Sequence, residues 1–182
     1  MPLFRSRNKE YEKAARLLSD GKTERAIEMF REIIKADPLD TNSMVALAVA
    51  LLEKQENPKI ASPDTEEALA LLDRAASIEP QDPVPIFNKG VFYRKLGMHQ
   101  EALEAFEMAL EVEERQPLAI LHMAEIHYEL ENWEEAIELA RLALTRDPGL
   151  EYALSWVRDA MIKAGQLEDT INDIRRAKSK EN

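Results

Sequence analysis

Apolar residues recur along this chain at helical spacing, and β-branched residues never cluster into strand-like runs. The stretch HQEALEAFEMALEV places Ala102, Leu103, Phe106, Ala109 and Leu110 on one stripe, the pattern of a half-buried helix. Just before it, Ile86, Lys89-Gly90 and Tyr93 share one face of a second helix, which Gly97 then ends. Glycine accepts the left-handed backbone of a helix C-terminus without a Cβ clash. The two segments predict a helical hairpin. The longest uncharged run, Thr41 to Leu52, has twelve residues. Crossing hydrocarbon needs roughly 20 apolar residues, so this run predicts a buried helix and integral membrane association is not expected.

The hairpin repeats. Glu67-Ala68-Leu69, Glu101-Ala102-Leu103 and Glu135-Ala136-Ile137 align at a spacing of 34, and Arg25-Ala26-Ile27 lies one period plus eight residues before Ala68. Gly21, Gly97 and Gly165 precede second helices, and Pro38, Pro80 and Pro148 close units. The units run from about 7–40, 41–82 with an insert at 56–63, 83–116 and 117–150, followed by a degenerate unit at 151–178. The expected fold is an all-α solenoid of helical hairpins, one domain over residues 1–182. Ala14, Ala48, Gly90 and Ala124 share the eighth position, and Ala26, Ala68, Ala102 and Ala136 share the twentieth. Only small residues let crossing helices approach closely, so these positions mark the crossing inside each hairpin. Thr23 is the expected cap of the first unit's second helix, with Thr65 or Asp64 in the second unit.

These residues resemble the tetratricopeptide repeat. The third unit carries Gly90, Tyr93, Gly97, Ala102, Phe106 and Ala109, the fourth Ala124, Ala136, Ala143 and Pro148, and the first Gly21, Ala26, Phe30 and Pro38. The resemblance spans about residues 7 to 177 and implies a right-handed superhelix whose first helices line a concave groove. In the fifth unit Arg158 and Thr170 replace small residues, as in a capping repeat, while Leu167, Ile171 and Ile174 remain for packing.

Transferred by register, the groove positions give an apolar stripe of Val45, Val49, Leu52, Phe87, Val91, Leu118, Leu121, Tyr128, Tyr152 and Trp156. Asn88, Arg94, Lys95 and His122 border it, and Tyr11, Val84 and Glu125 also hold groove positions. A contiguous apolar patch with aromatic centres suits an apolar peptide or amphipathic helix of a partner protein. The alternative is a self-associating scaffold, a homo-oligomer whose groove is filled by another copy or by its own terminal segment. The family's carboxylate clamp for chaperone tails is not expected, because Asn88 alone fits it and its neighbours in register supply no cation.

Composition narrows the chemistry. The net charge is −11, so phosphate backbones are repelled and no nucleic-acid partner is expected. There is no cysteine to form a disulfide, ligate zinc or act as a nucleophile. His122 and Glu125 are three apart, but two ligands make no metal site, and no second pair is evident. No phosphate-binding loop, nucleophile elbow or paired-carboxylate motif is present, so no catalytic residue, metal or cofactor is expected. His127 and Trp133 read as packing residues, His99 as an exposed turn residue, and Trp156 either faces the groove or covers the end of the core. Arg5, Arg7 and Lys9 open the chain and Arg175, Arg176, Lys178 and Lys180 end it; solvation and helix C-termini explain them better than a membrane surface. The opening residues lack a signal-peptide apolar core, and a cytoplasmic, non-enzymatic adaptor is the expected whole.

Overall fold

The computed structural model describes the backbone of residues 3–114 and 116–165, and the side chains of 9–114, 116–150 and 155–165. The regular secondary structure of the described residues is all helical, with no strand. Their elements are α1 (Leu3–Ser19), α2 (Thr23–Ala36), α3 (Thr41–Glu53), α4 (Pro63–Ile78), α5 (Val84–Lys95), α6 (His99–Val112), α7 (Pro117–Glu129) and α8 (Trp133–Arg146). A 3-10 turn (Pro148–Ala153) then leads into α9 (Leu154–Lys163). The all-α hairpin fold expected from the periodicity is therefore the fold observed.

The chain forms two compact units, one through Glu113 and one from Glu114. In the first, the hairpins α1–α2, α3–α4 and α5–α6 are stacked: α2 packs on α3, α4 on α5, and the first helices α1, α3 and α5 adjoin in sequence. In the second, α7 pairs with α8, and α9 packs on α8. The positions read as close crossings are all shut from solvent: Ala14, Ala48 and Ala124 at the eighth, Ala26, Ala68, Ala102 and Ala136 at the twentieth. Phe30, Leu72 and Phe106 fill the core four residues after the twentieth-position alanines.

The turns explain why the glycines recur. At Gly21 (φ 73°) the glycine N–H donates to Leu18 O at 2.9 Å and the Lys22 N–H to Leu17 O at 2.8 Å. Gly97 repeats that pair of bonds with Arg94 and Tyr93. In the fourth repeat the same cap is built on Glu131 (φ 62°), whose N–H donates to Tyr128 O while that of Asn132 donates to His127 O. A side chain in this conformation costs about 1–2 kcal/mol. Glu131→Gly is therefore expected to raise stability by about 0.5–1 kcal/mol, part of the gain being lost to the freer unfolded chain. A thermal melt of the two proteins measures it.

In the second repeat Gln55 stands where the left-handed glycine would be, and the chain runs on through the insert. Its side chain holds the insert in place: Nε2 donates to Leu51 O at 3.0 Å, and Oε1 accepts from Ser62 Oγ at 2.7 Å and Thr65 Oγ1 at 3.2 Å. This corrects the expected caps. Ser62, extended at φ −85° and ψ 142°, caps α4 by accepting from the Thr65 N–H, whereas Asp64 and Thr65 already lie inside the helix. Thr23 is likewise inside α2, after Lys22, which makes no side-chain cap bond.

Candidate functional site

The adjoining first helices of the first unit leave a concave pocket of about 440 Å³. Tyr11, Ala15 and Leu18 of α1, Val45 and Val49 of α3, and Val84 and Asn88 of α5 line it. Each helix supplies residues one turn apart, so the wall is continuous. Val45 and Val49 are half-buried, and Val84 is 42% exposed. Tyr11 stands on the buried ring of Phe30, centroids 5.7 Å apart and tilted by 60°. The core ring props the tyrosine up into the pocket. Charge is sparse here: among the described lining residues Glu53 is the one ionisable acid or base besides the Tyr11 phenol. The Asn88 amide donates back to Val84 O of its own helix at 2.8 Å, leaving its oxygen for other donors.

Phe87, Val91, Arg94 and Lys95 lie on α5 outside that lining. Phe87 is half-buried against Phe106, centroids 5.6 Å apart, in the relation that Tyr11 has to Phe30. Val91 and Arg94 are half-buried and Lys95 is exposed.

Two residues of the expected stripe are not on a surface. Leu52 is only 4% exposed, because α3 is contacted by α1, α2, α4 and α5 and keeps just the narrow arc through Asn42, Val45 and Val49. Leu121 is 1% exposed although it shares the register of Tyr11 and Phe87. The residue in register with Phe30 and Phe106 is here Ala140, also fully buried, so no ring props the position outward and the leucine sinks.

In the second unit, Leu118 is 43% exposed at the start of α7. One turn on, the half-buried pair His122 and Glu125 meets, Nδ1 to Oε2, at 3.1 Å. Tyr128 and Trp156 join α7 to α9. The Tyr128 hydroxyl donates to Asp159 Oδ2 at 2.6 Å, and its ring lies 5.3 Å from Trp156 and 5.4 Å from Trp133. Lys163 Nζ bonds Asp159 at 2.9 Å and sits 4.5 Å over the Trp133 ring and 5.2 Å over that of Tyr128. The Lys163 ammonium first, then the tyrosine hydroxyl, holds the Asp159 carboxyl below its usual range. The tie is therefore present at neutral pH and weakens as pH falls through that depressed value. Trp156 packs against Ala124, Ala140 and Val157, so it covers core, and Trp133 packs on its own hairpin's first helix through Tyr128. The side chains of Tyr152, Arg5 and Arg7 lie outside the described residues, as does the chain beyond Gly165. His99 opens α6 and is half-buried rather than exposed. The sequence reading missed the Asp159–Lys163 pair, whose i,i+4 spacing was the available signal.

Among the described residues no three side chains converge as metal ligands, and no helix is long and apolar enough to cross a membrane. Comparison with protein families decides what the hairpins are: family models of the tetratricopeptide repeat match residues 11–83, 86–115 and 119–152. The chain belongs to the tetratricopeptide repeat family. Solved structures agree on the fold. MamA is similar at a TM-score of 0.69 and 15% identity, over 96% of this chain and 91% of that one. A thermophilic tetratricopeptide repeat protein of Thermus thermophilus reaches 0.72 at 23% identity, over 84% and 80%. PilF of Pseudomonas aeruginosa reaches 0.76 at 16% identity, over 91% and 72%. No curated protein matches the sequence. As a tetratricopeptide repeat protein, the chain is a protein-interaction scaffold.

Proposed function

We propose that this scaffold is a non-enzymatic adaptor whose first-unit pocket takes an apolar peptide or an amphipathic helix from a partner protein. The observation that carries the reading is the nearly uncharged wall formed by Tyr11, Val45, Val49 and Val84, with one carboxylate, Glu53, at its edge. Its volume lies within the range of about 300–1,000 Å³ usual for binding pockets. Side chains one helical turn apart on α3 match the i, i+4 spacing of a docked helix. Asn42 and Asn88 provide amides at the rim that can bond a peptide backbone. The partner's apolar side chains would leave water against the valines, with Tyr11 as the aromatic anchor. No residue of the pocket supplies an activated nucleophile or an acid–base pair, so the reading is binding without chemistry.

A photo-crosslinking residue in place of Val84 should capture the partner from native lysate. Val49→Asp should then weaken that partner's affinity about tenfold or more, since an unpaired carboxylate would be desolvated on docking. The melting temperature should change little, because Val49 is only half-buried. A variant that stays folded and binds with unaltered affinity refutes the assignment.

A further inference from the structure

We infer that a second pocket of the first unit, between α4, α5 and α6, seats the basic segment Ile171–Lys180 of a second copy of this chain. This does not rest on the concave pocket, with which it shares no residue. The second pocket measures about 260 Å³. Its floor is apolar, built from Leu72, Ile86, Ala105 and Met108, and Met108 is 53% exposed. Three carboxylates, Asp73, Glu101 and Glu104, stand around that floor. Lys89 neutralises one, its Nζ lying 2.6 Å from Asp73. Gln100 donates to Glu104 Oε1 at 3.0 Å and carries no charge. Two negative charges therefore remain beside the exposed Met108 and half-buried Ile86, which asks for a cation on an apolar stem. Arginine and lysine meet that demand, because their methylenes cover apolar groups while the charged head reaches a carboxylate.

The chain itself contains such a segment. Among 24 basic and 35 acidic residues overall, four cations are gathered in residues 175–180 as Arg175, Arg176, Lys178 and Lys180. Ile171 and Ile174 precede them in the sequence and bring apolar side chains. The segment lies outside the described residues. Charge together with apolar lining picks this pocket over the others. The concave pocket offers the single carboxylate Glu53. The pocket between α1 and α2 has Glu10, Glu28 and Glu32 but only Met29 and Ile33 as apolar lining.

The test is a fluorescein-labelled synthetic peptide of residues 171–180, whose four bases outweigh its one acid, Asp173, titrated with the full-length protein and followed by anisotropy. Saturable binding is expected, weakened about tenfold by the paired substitutions Glu101→Lys and Glu104→Lys. It should also be largely lost in about 1 M salt, where screening acts within about 3 Å. A peptide carrying Arg175→Glu and Arg176→Glu should prefer the Glu101→Lys, Glu104→Lys protein over the wild type, a gain that misfolding cannot produce. Val49→Asp should leave peptide binding unchanged while disrupting the concave pocket, which separates the two assignments. Light scattering of the unmodified chain should show mass rising with concentration and falling when peptide is added. Peptide affinity weaker than about 1 mM, equal binding of both peptides to both proteins, or a monomeric mass throughout would overturn the inference, the last also being the result if the segment packs on its own fifth repeat.

Discussion

Phe106→Ala is expected to cost about 3–5 kcal/mol of stability, the usual penalty for emptying a fully buried aromatic site. Phe106 has no exposure, and two features of the third hairpin depend on its ring. Phe87 leans on it from α5, so truncation should let Phe87 drop inward and remove an aromatic from the groove-facing register. Gly90 faces it at the hairpin crossing, where an added Cβ would lie 2.8 Å from the ring. Gly90→Ala gains about 1 kcal/mol of helix propensity but meets a ring with no room to retreat, at about 1–3 kcal/mol. The net expectation is a loss of about 1 kcal/mol. With Phe106→Leu the sign should reverse, because the second repeat already pairs Ala48 with Leu72 in this register and buries both. Denaturant melts of the two single variants and the double variant test the coupling. Additive losses would show that the ring and the glycine do not meet.

This coupling shows which part of the architecture local patterning could reveal. The thirty-four-residue spacing, the small residues and the turn glycines are short-range features, repeated within each hairpin, so they could be read along the chain. The structure seals those small positions at their crossings as that reading requires. Where one turn glycine is replaced, the backbone still adopts the same cap on Glu131, because the tertiary register and not the residue type imposes the conformation. A search for glycine alone passes over it. The Gln55 bridge was hidden for a related reason: its partners, Ser62 and Thr65, become neighbours only after the insert has folded back.

The site was less legible, since exposure depends on what lies beneath. Tyr11, Phe87 and Leu121 occupy one register, yet only the first two stand on phenylalanine rings, and Leu121, with Ala140 in the matching place, is buried. Leu52 has the right register too, but its helix has neighbours on four sides. A register transferred from one hairpin to another gives a direction and not a depth. Depth is set by the volume of the residue on the facing helix, which is 19 residues away in sequence in each of these three pairs. The Tyr128–Asp159 bond spans 31 residues and converts an expected groove tyrosine into a tie for α9.

The small residues should therefore be the least tolerant surface of the hairpins. Ala136→Leu, and Ala102→Leu in the third repeat, are each expected to cost about 3 kcal/mol, the upper end for overpacking. Both positions have no exposure. Alanine and leucine have nearly equal helix propensity, so the secondary-structure contribution almost cancels and the steric one decides. The three added carbons must push the facing first helix away or force an eclipsed rotamer, since each alanine lies at a closed crossing. Glu138→Leu, an exposed position on the same helix as Ala136, is the control and should change stability by less than about 0.5 kcal/mol. Repeat proteins bury their cores between neighbours, so the damage should be local. Amide exchange should quicken in α7 and α8 of the Ala136→Leu protein while protection in α1 to α4 stays as it was. An Ala136→Leu protein that melts with the Glu138→Leu control would mean that helix pairing does not depend on a close approach at the twentieth position.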